Sequence, residues 1–583
     1  MYSRFIRRYR SPLWVAAICS VLLNVLTFAG SIYMMLVYDS VLPSRSLPTL
    51  AGLFVMLLLV YLFQALFDAI RAEAMLSVAN GVRGDLAHAV HHATVSRALR
   101  AGRVEGDGMQ PLRDLDQIHA FLASPGPLAM FDVPWVIMFL IVLAALHWAL
   151  GLAALIGAII LAVIATFSAR ASRSGTMELT RVTGQRSAAV LAQIRAAEPA
   201  RAMAMQDRLI GRSLAWDGEF TRVQSSLSRT VARFGGASRT FRIFLQSIIL
   251  TVGALLVIDG QATGGVILAS SVLSGRALAP VDQAIANWRG FASARAGWAR
   301  LVEAISVHHR PPPRSVTLAP PAGEITARDL WIAPPGSPTP VLGNVNFTLK
   351  PGDALAVIGP SASGKTSLAK AMLGIWPPTR GEIRLDGATH DQWDPAALGA
   401  SFGYVPQSVE LLDGTLGENI ARFDTEASSD AIIAAATTAG LHGLILSMPD
   451  GYDTRVTAGG VELSAGQRQR LGLARALYGD PFLIVLDEAN SNLDAAGDAA
   501  LATAIEQVRA RKGIVVMITH RPAALGPMSH IAVLRGGRLA DFGERDEVLA
   551  RLQQGEQKPP LQQPTAAPVR EKPDQRASAG AAL

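Results

Sequence analysis

The stretch GDALAVIGPSASGKTSLAKAMLG covers residues 352–374. Its centre, GPSASGKT, fits the pattern G-x-x-x-x-G-K-[ST]. ALAVI before it reads as a buried strand, and SLAKAMLG after it reads as a helix. A strand, a glycine-rich loop and a helix are the context that this pattern needs. Backbone N–H groups of Gly359, Pro360, Ser361, Ala362, Ser363 and Gly364 (the proline lacking one) form a cradle for phosphates. The helix N-terminus, with Thr366 and Ser367, adds favourable partial charge. Lys365 reaches the outer phosphates, and the Thr366 hydroxyl is placed for Mg²⁺.

Upstream of the cradle the chain is unusually oily. Half of its 583 residues are apolar and only 17% are charged. The net charge of +7 is small for this length, so charge alone leaves a nucleic-acid binder open. Six runs are apolar and long enough for about 20 residues of membrane helix. They lie at about 13–37, 48–68, 127–147, 149–169, 241–259 and 264–285. These spans exclude a soluble nucleic-acid-dependent ATPase. The basic start, MYSRFIRRYR, precedes an apolar run too long for a signal-peptide core. The single Cys19, inside the first span, excludes internal disulfides and cysteine-rich metal sites.

The segments after spans two and four are long and carry many arginines, among them Arg71, Arg83, Arg97, Arg173, Arg181 and Arg195. Positive loops stay in the cytoplasm. Both long segments, both termini and the phosphate cradle then share one side. Stretches such as AVLAQIRAAEPARAMAMQDRLIGRSLAW are rich in helix formers, so membrane helices are expected to continue into the cytoplasm. Arg276 interrupts span six. Either it faces a cavity or a partner at mid-membrane, or the span begins or ends elsewhere.

HHRPPPRSVTLAPPAGE (308–324) reads as a linker. Beyond it, strands alternate with helices, as in an α/β domain over a largely parallel sheet. The expected organisation is a membrane domain at 1–305, a linker at 306–322, an α/β domain at 323–555 and a disordered tail at 556–583. FLIVLDEANSNLD (482–494) supplies a second half for the phosphate site. A buried strand ends in Asp487, placed for Mg²⁺, and Glu488, placed to polarise an attacking water.

VELSAGQRQRLGLARAL (461–477) makes the resemblance specific. LSAGQ, residues Leu463, Ser464, Ala465, Gly466 and Gln467, resembles the signature of ATP-binding cassette (ABC) proteins. The other family elements follow the same order. Gln407 in GYVPQ is similar to the Q-loop glutamine, Asp494 in SNLD to the D-loop, and His520 in VVMITHR to the switch histidine. The resemblance implies an all-α six-helix membrane domain of the ABC exporter type, followed by an α/β P-loop ATP-binding cassette. It implies ATP and Mg²⁺ as cofactors, with Thr366, Gln407 and Asp487 at the metal and Glu488 and His520 in catalysis. It implies a signature that caps the γ-phosphate of ATP held by the other cassette of a dimer. Two departures stand out. Trp331 is the local candidate for stacking on adenine, in an uncertain register. TRVTAGG (454–460), before the signature, lacks the glutamate that many exporters carry there.

The whole chain resembles type I secretion ATPases of Gram-negative bacteria. MLVYDSVLPSRSLPTL, FDVPWVIMFLIVLAALH and SGRALAPVDQAIANWRGFASARAGWARL carry this likeness. Only a dozen residues precede span one, so no N-terminal peptidase domain is expected. The resemblance implies a homodimer in the inner membrane, surrounded by lipid, with N-terminus and ATPase domain cytoplasmic. Its implied partners are a secreted protein with an uncleaved C-terminal signal, a periplasmic membrane fusion (adaptor) protein and a TolC-like outer-membrane channel, with no nucleic acid. A lipid or drug exporter shares the cassette motifs and the six-span plan. A membrane scaffold with an idle cassette is disfavoured by the intact Lys365, Glu488 and His520.

Overall fold

A computed structural model describes residues 7–100, 108–306, 318–456 and 462–555. Most of the linker expected at 306–322, and the whole tail at 556–583, lie outside the described residues. The chain divides into two compact units, at residues 311 and 312.

The first unit is helical. Its longest helices are Leu47–Arg100, Trp148–Arg195, Gln206–Ile258 and Gly264–Ser306, with 54, 48, 53 and 43 residues. At 1.5 Å per residue each is far longer than the roughly 30 Å hydrocarbon core. The apolar runs thus continue as unbroken helix into polar sequence. Five helices are long and apolar enough to cross a membrane, and a bent pair brings the number to six.

That bent pair covers the span expected at 127–147 and breaks it into two helices. Pro125–Asp132 and Trp135–Leu146 meet at 43°. Pro134 has no N–H to continue the helical ladder, so the chain turns there. The turn is closed by shorter i→i+3 bonds, Val136 N to Val133 O at 3.1 Å and Ile137 N to Pro134 O at 3.3 Å.

Lipid gives helices little hydrophobic reason to associate, so close packing and polar pairing must hold them. Gly157 provides the first: a Cβ there would collide with Leu245. Around this contact Phe139, Leu143, Leu150, Leu161, Ile249 and Leu273 form a buried core. Polar pairing gathers at the bend. Asp132 accepts from Arg71 at 2.8 Å and from Asn24 at 3.0 Å, and Arg71 also meets Asp68 at 2.7 Å. Asp282 pairs with Arg242 at 2.6 Å and accepts from Ser238 at 2.5 Å. Arg276 is half-buried. Its Nη2 lies 3.7 Å from where a Gly30 Cβ would stand, so it faces a packed helix.

The second unit is α/β. Its main sheet has six strands in the order Arg538–Glu544, His530–Arg535, Ala354–Ile358, Ile514–Ile518, Leu483–Asp487, Phe402–Val405. All neighbouring pairs but the first are parallel. ALAVI, LIVLD and IVVMI are continuous apolar runs because both faces of these strands are covered. Ala354, Ala356, Ile484, Leu486, Val515 and Met517 fill one core. Their alternates Leu355, Val357, Leu483, Val485, Ile514 and Val516 fill the other. A four-stranded sheet, Leu342–Leu349, Ile325–Ile332, Arg380–Leu385, Ala388–Thr389, is antiparallel.

The Arg71–Asp132 pair is mostly shielded, with side chains 12% and 15% exposed. Removing one partner strands the other charge, at a cost of about 3 kcal/mol. Arg71→Ala and Asp132→Ala should each lower the melting temperature of the detergent-solubilised chain. The double variant should melt above either single one. A double variant no better than the worse single would show the pair is not coupled.

Candidate nucleotide site

The parallel register builds the site. Ile518 pairs with Val357 on one side and Asp487 on the other, so three strands end together. The crevice beyond the carboxyl ends of parallel strands is where ligands bind in such sheets.

The loop from Gly359 to Gly364 leaves the first of these strands and enters helix Lys365–Met372. Gly359 has a φ of +152°, and a Cβ there would strike the Leu534 carbonyl. Gly364, at φ +97°, is the left-handed residue that starts the helix. Lys365 Nζ donates to the carbonyls of Gly359 and Pro360, both at 2.9 Å. Burial pulls its pKa down, while the nearby Glu488 and Asp487 carboxylates pull it up. The buried Ser363 hydroxyl has no partner among the described residues.

Asp487 is 1% exposed. Thr366 Oγ1 donates to its Oδ1 at 3.3 Å, while its Oδ2 is buried without a partner. Burial raises the Asp487 pKa most, the Thr366 bond opposes this, and the Glu488 charge adds to it. A hydroxyl and an orphaned carboxylate oxygen fit a hard cation that prefers oxygen ligands, as Mg²⁺ does. Thr366 and Asp487 are the residues that would hold it.

Glu488 is the centre of the group. Gln407 Nε2 donates to its Oε2 at 3.0 Å, and His520 Nε2 stands 3.4 Å from its Oε1. Its φ of +53° is strained for a residue with a Cβ. Its N–H donates to Ile518 O at 3.1 Å. Gln469 was not anticipated from the sequence, yet it is the brace. Its Nε2 donates to the Glu488 carbonyl at 3.0 Å, and its Oε1 accepts from Asn492 N at 3.0 Å. Gln469 is buried, although in GQRQR it stands between two arginines, so the sequence carried no signal for it.

Ser464 caps helix Ala465–Leu477 in a reciprocal capping box with Gln467. Gly466 lies against the loop after Glu488: a Cβ there would be 2.8 Å from Asn492 O. Asp494 caps helix Ala495–Ala510 and pairs with Arg470 at 3.0 Å. Among the described residues no hydrogen bond joins Leu463–Gln467 to the phosphate loop. The Trp331 indole donates to Asp329 at 2.9 Å, Arg380 lies 6.0 Å from its ring, and Gly343 packs against it. Of TRVTAGG, residues 457–460 lie outside the described residues.

The family models agree with this geometry. Residues 342–491 match the ABC transporter model, and residues 13–281 match the ABC transporter transmembrane region. The type I secretion system ATP-binding protein PrsD of Rhizobium meliloti is 44% identical over 550 residues, 94% of each chain. The chain belongs to the type I secretion ABC transporters. It is an ATP-hydrolysing membrane transporter, with a helical membrane domain ahead of its cassette. Two more distant members are the toxin RTX-I translocation ATP-binding protein of Actinobacillus pleuropneumoniae and the leukotoxin translocation ATP-binding protein LktB of Mannheimia glucosida. They are 27% and 26% identical, each across 93% of this chain and 77% of its own. A bacterial Atm1-family ABC exporter solved with ATP bound shares the fold, at a TM-score of 0.81 and 21% identity over 93% of this chain and 96% of its own.

Two outcomes test this site. Gln469→Ala removes the brace without touching the phosphate loop. ATP hydrolysis should fall about tenfold, with KM for ATP changed less than twofold, because only the positioning of the base is lost. A raised KM at unchanged kcat would contradict that role. Asp487 gives a pH signature. Its folded pKa is raised, so the native state binds the proton more tightly than the unfolded chain does. The contribution of Asp487 to stability without Mg²⁺ is therefore fully present below about pH 3.9 and is lost as pH climbs, until the folded carboxyl has ionised. Asp487→Asn should flatten that fall in denaturant titrations of the full chain between pH 4.5 and 7. Identical slopes in both proteins would contradict it.

Proposed function

We propose that this transporter is the ABC component of a type I secretion system. It moves unfolded proteins with uncleaved C-terminal signals out of the cytoplasm, across the inner membrane. The 44% identity to a type I secretion ATP-binding protein along 94% of both chains supports the reading most strongly. The partners that go with it are a second copy of the chain, a periplasmic adaptor and an outer-membrane channel. The N-terminus and the ATPase unit lie in the cytoplasm.

The chemistry follows from the carboxylate at the end of strand Leu483–Asp487. Glu488 takes the proton of a water as its oxygen attacks the γ-phosphorus, and ADP departs. Gln407 and His520 grip separate oxygens of this carboxylate and fix its direction. Lys365 and the loop N–H groups hold the phosphates. Thr366 and Asp487 would hold Mg²⁺, which would supply positive charge to the outer phosphates. Ser464 and Gly466 sit at a helix N-terminus, the kind of place that stabilises a phosphate of the partner cassette. Two such sites need two chains.

Glu488→Gln in the source organism is the test, with proteins in the medium compared by quantitative mass spectrometry. One or a few proteins without signal peptides should vanish from the medium and accumulate inside. An unchanged secreted proteome, with the transporter expressed, would overturn protein export and favour a lipid or small-molecule cargo.

A further inference from the structure

The helical unit contains a cavity of about 1040 Å³, apart from the nucleotide site. That is at the upper end of the usual range for binding pockets. Two helix faces supply most of its lining, with Arg97, Gln110 and Gln117 completing it. Residues 169, 173, 176, 180 and 184 recur every three or four positions on Trp148–Arg195, as do 288, 292, 295 and 299 on Gly264–Ser306.

Its charge is one-sided. Arg97, Arg170, Arg173, Arg181, Arg295 and Arg300 line it, and among the described residues no aspartate or glutamate does. Two of these arginines are already paired, Arg181 with Glu178 and Arg300 with Asp114. Arg97, Arg170, Arg173 and Arg295 have no carboxylate partner among the described residues. Four uncompensated guanidinium groups around one hollow focus a positive potential into it. Trp288 and Phe291, with ring centroids 5.3 Å apart, add an aromatic wall.

We infer that this cavity receives an acidic, aspartate- or glutamate-rich stretch of the unfolded cargo on its way into the membrane domain. The inference rests on the protein-export reading and adds to it the chemistry by which cargo is gripped. Guanidinium groups bind carboxylates in bidentate pairs, and an extended chain presents such groups without unfolding cost. Anionic lipid is the competing source of negative charge. Headgroups extend only about 5–8 Å beyond the hydrocarbon core. The apolar run on Trp148–Arg195 ends near residue 169, so Arg170 and Arg173, one and four positions on, lie level with the headgroups, whereas Arg181 is twelve positions further on. That is about 18 Å of helix. Arg295 lies ten positions past the apolar run ending near 285, or about 15 Å. The cavity thus reaches beyond the headgroups, where polypeptide can enter and lipid cannot.

The test uses the full-length chain in liposomes of neutral lipid. The probes are two fluorescent peptides, one of alternating Gly and Asp and one of alternating Gly and Asn. The wild type should bind the acidic probe about tenfold tighter at low salt. The preference should shrink as salt shortens the Debye length from about 10 Å toward 3 Å. R170Q/R173Q/R295Q should abolish it, and R170K/R173K/R295K, which keeps the charge, should retain most of it. Should the triple Gln variant fail to purify as a monodisperse species, each single Arg→Gln variant is expected to lose two- to threefold. Equal binding of both peptides, or a preference that survives the Gln variants, would overturn the assignment. So would a defect that appears only with phosphatidylglycerol in the liposomes, which would assign the arginines to lipid. Cargo that is lost from the medium in Glu488→Gln, yet secreted normally by the triple Gln variant, would sink this inference alone and leave protein export standing.

Discussion

Glu488 is held in a left-handed backbone conformation that a side chain ordinarily avoids. Several elements share in holding it there. The strand Ile514–Ile518 accepts its N–H, Gln469 of the signature helix supports its carbonyl, and Gln407 and His520 hold its carboxylate. The rest of the cassette can be read from this convergence. The parallel sheet lines up the strand ends that deliver Asp487 and Ile518. Gly466 allows the signature helix to approach the loop that follows Glu488. A base aimed by so many segments is sensitive to movement in any of them, which suits a site that must fire only when assembled.

The helical unit meets a different constraint. Polar groups inside a membrane must find partners within the protein. The bend at Pro134 loses part of its ladder, and the charged side chain at its edge, Asp132, is taken up by Arg71 and Asn24. Asp282 is satisfied in the same way by Arg242 and Ser238. Against that background of local pairing, four arginines around one cavity stand out, having no carboxylate partner among the described residues.

Much of this was legible in the sequence because the signals were of the kind that chemistry forces. A phosphate loop needs its glycines, and a strand buried on both faces has to be continuously apolar, so the loop and its three central strands could be read directly. The continuation of membrane helices into polar sequence followed from composition. The bend in the third span did not, because a count of apolar residues ignores one missing N–H at Pro134. Gln469 escaped notice because a glutamine between two arginines looks exposed until the loop after Glu488 folds over it. The partners of Trp331, namely Asp329, Gly343 and Arg380, depend on strand register, which local sequence does not encode.

The most direct measurement is single-turnover phosphate release from ATP by the purified full-length chain in liposomes, for wild type and Glu488→Gln. Loss of a general base costs about 10²- to 10⁴-fold. The account predicts a fall within that range, with bound ATP retained. Release at the wild-type rate in Glu488→Gln would contradict it, and the site would need another base.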